Sequence, residues 1–253
     1  VAKFTELGRK ERTRKQTQKY AAMVVLGGAA LGIFLWFAFV AKDQVTNGRF
    51  AAGGAISIIV FAVCVMMAKR FYSDQADAGS SLKGEDAVCA ALEKELGDGF
   101  GVLKNVPVPA KGGKKYVDLL VVGPTGIFPL VTKSDGTKIE AVGFKRMWKV
   151  TYTGVTDNDV SKRIFNPLMQ ADELAAAVSG YMKEKKAPFS AAVYPMVIFT
   201  AKGTEIEFDS IESKTPVCVL DGEIIKLRNH ILNRKQQMDE DAVRRTLELF
   251  GAD

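Results

Sequence analysis

Two stretches near the start of the chain, residues 21–40 and 50–68, each run without a single charged side chain. At a helical rise of about 1.5 Å per residue, each reaches roughly 30 Å, the thickness of a bilayer's hydrocarbon core. The sequence therefore predicts a transmembrane helical hairpin. A secretory signal peptide is the competing reading of the first stretch, but the apolar run is too long, no small-residue cleavage site follows, and a second span comes soon after. Gly28 and Gly32 form a small-xxx-small pair in the first run, and Gly53 and Gly54 lie near the start of the second. Such residues let helix backbones approach closely in lipid, either within the hairpin or against another membrane subunit.

Basic residues give the orientation. Lys3, Arg9, Lys10, Arg12, Arg14, Lys15 and Lys19 precede the first run against only Glu6 and Glu11, and Lys69 and Arg70 follow the second. The short connection between the runs holds Lys42 and Arg49. The positive-inside rule places both ends in the cytoplasm. Residues 1–20 then read as a basic juxtamembrane arm, 21–70 as the hairpin, 71–83 as a Ser-, Asp-, Gly- and Gln-rich linker, and 84–253 as one cytoplasmic domain of ordinary size.

The net charge of +6 does not belong to that domain. Residues 1–20 carry +5, whereas residues 84–253 hold 23 Lys and Arg against 24 Asp and Glu. Topology and attraction to anionic headgroups account for the arm. The near-neutral domain lacks the global footprint of a strong DNA binder, although Lys111, Lys114 and Lys115 form a local cluster. Beside Gly112 and Gly113, that cluster has the composition of a hairpin turn.

Within the domain, the pattern predicts a helix over 84–96, strands over 101–108, 116–122 and 127–133, and a hairpin through 139–152. A helix over 166–186 follows, with Pro167 where a first-turn proline is tolerated, then strands over 194–200 and 216–220 and a helix over 239–250. This order describes a mixed α/β domain.

Several chemistries are excluded by inventory. His230 is the single histidine, so neither a His-rich zinc site nor a Ser-His-Asp triad can form. Cys64, Cys89 and Cys218 are widely spaced, which fits reduced thiols rather than a disulfide framework. No Gly-rich loop with a following Lys-Ser/Thr is present.

What remains is a constellation on two adjacent strands and two helix starts. Asp118 interrupts an apolar strand, the run from Gly126 through Ile127 and Phe128 ends at Lys133, and Gly84-Glu85 opens the first helix. Trp148 follows, and then Asn166-Pro167-Leu168-Met169-Gln170 opens the later helix. In this order and spacing, roughly residues 84–200 resemble the nuclease-related domain (NERD) family, a branch of the PD-(D/E)xK nuclease superfamily. The resemblance implies a restriction-endonuclease-like fold. It also implies a site of Glu85, Asp118, Lys133 and Gln170, with carboxylates gathering Mg²⁺ or Mn²⁺ and the lysine positioning water or stabilising charge on the phosphate.

One carboxylate of that set is missing. The Glu of the family's Glu-x-Lys pair falls on Val131, which cannot bind metal. Asp135 would share a face with Lys133 if the strand continued, making Asp118 and Asp135 the metal ligands of an active enzyme. Ser134-Asp135-Gly136, however, has the composition of a turn. Pro129 is a second departure, since it removes a backbone donor from a central strand. Each matched residue also has a structural role available: Asp118 and Lys133 as an ion pair within the sheet, Glu85 beside the positive end of its helix, and Asn166 as an N-cap. Trp148 reads as core rather than as a base-stacking platform.

The expectation is a catalytically degenerate, cofactor-free NERD-like domain anchored in the inner (plasma) membrane. The compact layout and the resemblance point to a prokaryotic cell. Its partners would be the lipid bilayer and other membrane subunits or further copies of itself, with the domain acting as a binding or scaffolding module. The alternative is a divalent-metal-dependent nuclease or DNA-processing enzyme at the inner face of the membrane, for which nucleic acid is the partner.

Overall fold

The central strands Val117–Gly123 and Gly126–Thr132 are buried on both faces, because they lie between two packed layers. The computed structural model describes residues 3–6, 83–110, 113–134, 136–142, 145–152, 160–185, 187, 191–209 and 213–251, with isolated positions between 22 and 36 and between 58 and 66. Residues 71–82 of the linker, Lys111, Asp135, Cys64 and most of both apolar runs fall outside the described residues, whereas Lys83 already belongs to a helix. Among the described residues no helix is long and apolar enough to cross a membrane. The chain divides into two units, one of residues Val1–Gly8 with Ser80–Asp253, the other Arg9–Gly79. In the second unit, the described positions are helical and include the exposed Val25, Leu26, Trp36, Ile59 and Met66.

The first unit holds a six-stranded sheet, β1-β2-β3-β4-β8-β10, and a four-stranded sheet, β7-β6-β5-β9. The larger sheet consists of β1 (Lys3–Glu6), β2 (Gly101–Ala110), β3 (Gly113–Gly123), β4 (Gly126–Lys133), β8 (Met196–Phe199) and β10 (Val217–Val219). The smaller comprises β5 (Lys138–Val142), β6 (Met147–Tyr152), β7 (Val160–Phe165) and β9 (Glu205–Asp209). Four helices accompany them: α1 (83–95), α2 (Pro167–Glu184), α3 (Leu220–Leu232) and α4 (Glu240–Leu249). The mixed α/β domain is thus the predicted one. Beyond the sequence expectation are β1, β7, β9 and α3, with Lys3–Glu6 of the basic arm forming an edge strand parallel to Gly101–Lys104.

Alternation along the strands sorts the core into two layers. Leu119, Val121, Phe128 and Leu130 pack with Val88 and Leu92 of α1, with Leu96 just beyond it, and with Leu227 and Ile231 of α3. Leu120, Val122, Ile127 and Val131 face the other way, against Leu168, Ala171 and Leu174 of α2, Val243 of α4, and Ile139 and Trp148 of the smaller sheet. Trp148 is fully buried, donates through Nε1 to the Val142 carbonyl at 2.9 Å and meets Phe208 edge-on, so it belongs to the core.

Pro129 sits inside the central strand β4, opposite Leu120 of β3. On its other side, Ile127 bridges Val193 and the parallel ladder resumes at Leu130 with Met196. The same register places Pro129 opposite Pro195. The ladder is therefore interrupted where two prolines meet, and the lost donor falls in a gap rather than in a continuous run of bonds.

Candidate functional site

The C-terminal ends of the parallel strands β2, β4 and β8 gather most of the sequence-predicted residues. Lys133 closes β4 beside Phe199, and its carbonyl accepts from the Thr200 backbone N–H at 2.8 Å. Gly84, at the start of α1, passes so close to this corner that a Cβ there would lie 2.3 Å from the Thr200 Oγ1. That close approach explains the glycine before Glu85 and delivers the glutamate to the sheet end.

Glu85 is 1% exposed and Asp118 is 8% exposed. Buried carboxylates need partners, because an uncompensated charge away from water is expensive. Asp118 Oδ2 accepts from the Thr132 backbone N–H at 3.1 Å and from its hydroxyl at 3.4 Å. Glu85 Oε2 accepts from the Asn105 Nδ2 at 3.4 Å. The β2–β3 register runs from Lys104 with Leu119 to Val106 with Val117, which sets Asn105 opposite Asp118. Asn105 is itself 1% exposed and holds a left-handed φ of 54°, a conformation that asparagine tolerates better than most residues. Beside it, Lys104 pairs with Asp86 at 2.6 Å.

Lys133 stands apart from these carboxylates. Among the described residues it forms no ion pair, so the structure does not make the Asp118–Lys133 pair that the sequence offered. Alternation puts Lys133 on the face of Val131, whereas Thr132, which holds Asp118, falls on the face of α1. Val131 is fully buried and lies in the apolar cluster with Leu168 and Ala171 of α2.

The later helix start does structural work. Asn166 is fully buried and caps α2, its Oδ1 accepting from the Leu168 N–H at 2.9 Å while its Nδ2 donates to the Lys145 carbonyl at 2.8 Å. Gln170 is half-buried one turn on, with its backbone N–H on the Asn166 carbonyl at 3.1 Å. Among the described residues its side chain reaches none of Glu85, Asp118 and Lys133.

A hard divalent cation requires several converging oxygen donors. Among the described residues no three His, Cys, Asp or Glu side chains are grouped to hold a metal ion, and the place of the third carboxylate is hydrocarbon. These residues do not fit the Mg²⁺ or Mn²⁺ centre implied by the resemblance; Asp135, the remaining ligand considered, lies outside the described residues. The two described cysteines are buried and unpaired with each other, and burial pushes each thiol up to about 11.

Asn105 and Thr132, the residues that hold the two carboxylates, were not singled out in the sequence. The available signal was a lone asparagine inside the apolar run of β2, a residue type able to take a left-handed turn.

No curated protein and no solved structure matches the chain at a significant level. Residues 80–200 match the family described as the nuclease-related domain, NERD. This segment runs from α1 to the end of β8 and contains Glu85, Asp118, Lys133 and Gln170. The chain carries a nuclease-related domain of the NERD family, within the general class of PD-(D/E)xK nuclease-like proteins.

Proposed function

We propose that this nuclease-related domain is membrane-anchored and catalytically silent, and serves as a binding or scaffolding subunit of an assembly at the inner face of the plasma membrane. The observation that carries the reading is Val131, buried beneath α2 at the position two before Lys133 where the family resemblance calls for a glutamate. A carboxylate cannot enter that position without displacing apolar core.

Two further observations support the membrane part. Val25, Leu26, Trp36, Ile59 and Met66 are helical, apolar and exposed, as side chains that face lipid would be. In addition, β1 belongs to the same six-stranded sheet as β2, β3, β4, β8 and β10 of the domain. A chain that leaves the sheet after Glu6 and returns at α1 crosses any bilayer an even number of times, in agreement with the charge pattern that puts both ends in the cytoplasm.

The test is a cleavage assay on the full chain with single- and double-stranded DNA and RNA, with Mg²⁺ or Mn²⁺, beside Asp118→Ala. The expected result is no metal-dependent cleavage by either protein. Cleavage that disappears in a folded Asp118→Ala variant would overturn the proposal and turn attention to Asp135 as the completing ligand.

A further inference from the structure

α3 and its C-cap present one face whose chemistry the nuclease-related reading does not use. Lys226, Asn229, His230, Asn233 and Arg234 line a cleft of about 340 Å³. They recur at the spacing of a single helical face. Three carry or can carry positive charge, two offer carboxamides, and none is acidic. Glu223, one turn earlier, pairs with Lys226. Among the described residues Arg234 has no carboxylate partner; its guanidinium lies 4.5 Å from the Tyr194 ring centroid. That ring is fixed in turn, because Gln237 donates through Nε2 to the Tyr194 hydroxyl at 2.9 Å and to the Thr125 carbonyl at 3.1 Å, while its Oε1 accepts from the Ala192 N–H at 2.8 Å.

We propose that this cleft binds a phosphate group, with Arg234 and His230 as its principal donors and Asn229 and Asn233 completing the hydrogen-bond set. A guanidinium held against an aromatic ring is preorganised, and its N–H fork suits phosphate oxygens. The cleft volume lies at the lower end of the small-ligand range, which fits a phosphate with part of the group esterified to it. Helix-dipole compensation is the competing explanation of the cations, and it covers only the last turn. It does not address the two carboxamides; Lys226 has Glu223 as its partner, and the Asn229 Oδ1 accepts from Arg228, which leaves the Asn229 amide N–H groups to donate. Burial and the Arg234 charge hold the His230 imidazole below its ordinary value, a repulsion that a bound anion would relieve.

The site is separate from the Glu85 and Asp118 cluster. Gln237, just beyond the cleft, donates its backbone N–H to the Pro124 carbonyl at 2.7 Å, in the turn that joins β3 to β4. That turn is at the opposite end of the strands from Asp118 and Lys133.

His230 is the sole histidine, so selective labelling of histidine in the full chain gives one imidazole signal. Titration with inorganic phosphate, against chloride at matched ionic strength, is expected to move that signal saturably with a dissociation constant of about 1 mM or tighter. Arg234→Ala is expected to weaken the effect by about tenfold or more, one strong charge-assisted contact having been lost. Asn229→Asp places a like charge in the cleft without touching the Tyr194 contact and is expected to do the same. A short-chain phosphatidic acid in a second arm separates a lipid headgroup from a soluble phosphate: tighter binding than inorganic phosphate assigns the lipid source, equal or weaker binding the soluble one. No saturable shift with either ligand, an equal shift with chloride, or undiminished binding in both folded variants would overturn the proposal.

Discussion

Asn105 lies opposite Asp118 across the β2–β3 pair, with a left-handed backbone and its carboxamide turned to Glu85. Its conformation and its side chain make separable contributions. Asn105→Gly keeps the backbone and loses the carboxamide, whereas Asn105→Ala loses both. Alanine is expected to be the worse by about 1–2 kcal/mol, the cost of a Cβ in the left-handed region. Denaturant midpoints of the full chain in micelles would check this, and equal midpoints would show that the backbone there is unstrained.

Gly84 and Thr200 form the second close relationship at this corner. Gly84→Ala is expected to destabilise by about 1–3 kcal/mol, since the new Cβ meets the Thr200 side chain. Thr200→Ala removes the obstructing hydroxyl and methyl, so the double variant should recover most of the loss in a double-mutant cycle. Additive losses would mean that Gly84 is required for some reason other than this contact.

Restoring the family motif with Val131→Glu is expected to cost about 3 kcal/mol or more, because it buries a carboxylate among Leu168, Ala171 and Ile127. The thermal midpoint should fall without any gain of cleavage. Metal-dependent cleavage gained by this variant would show a dormant centre rather than a dismantled one.

The buried thiols give a chemical probe. Cys89 and Cys218, with thiols pushed up to about 11 chiefly by burial, should resist alkylation in the native chain near pH 8 and react on unfolding. Mass spectrometry of labelled peptides distinguishes the two states. Rapid native labelling of either residue would contradict its place in the buried layer, Cys89 on α1 and Cys218 on β10.

His230 supplies the pH dependence. Its folded value lies below the unfolded one, so the unfolded chain binds the proton more tightly. Its effect on stability is absent well above about pH 6.5 and grows unfavourable as the pH falls through that value toward the folded one. In phosphate-free buffer, His230→Gln should therefore lose less stability than the parent between about pH 7 and pH 5. Identical slopes in denaturant midpoint against pH would show that the imidazole is not perturbed.

Where a residue's neighbours lie within a few positions of it, the sequence was legible. The near-continuous apolar runs of β3 and β4, the Asn166 cap with Pro167 behind it, and the buried Trp148 followed from local pattern. What escaped depends on distant partners. β9, whose five residues are Glu-Ile-Glu-Phe-Asp, looks too charged for a strand until Lys138 of β5 stands beside it to pair with Glu207 at 2.9 Å. α3 escaped because Asp221 and Gly222 break helical geometry just after its start. At the candidate site, Glu85, Asp118 and Lys133 were legible as types in an order, but the sequence could not show that Asn105 and Thr132 hold the two acids while Lys133 falls on the other face.

The parallel pairing of Lys3–Glu6 with Gly101–Lys104 also imposes an order on biogenesis. Lys3–Glu6 leaves the ribosome nearly a hundred residues ahead of its partner, a wait of about 5–20 s at ordinary synthesis rates. The entropic cost of so long a closure rises only logarithmically with length, so the delay is kinetic more than energetic. Both apolar runs are synthesised within that interval. This edge of the sheet therefore cannot close until both apolar runs have been made, so their placement precedes the pairing that ties the basic arm to the domain.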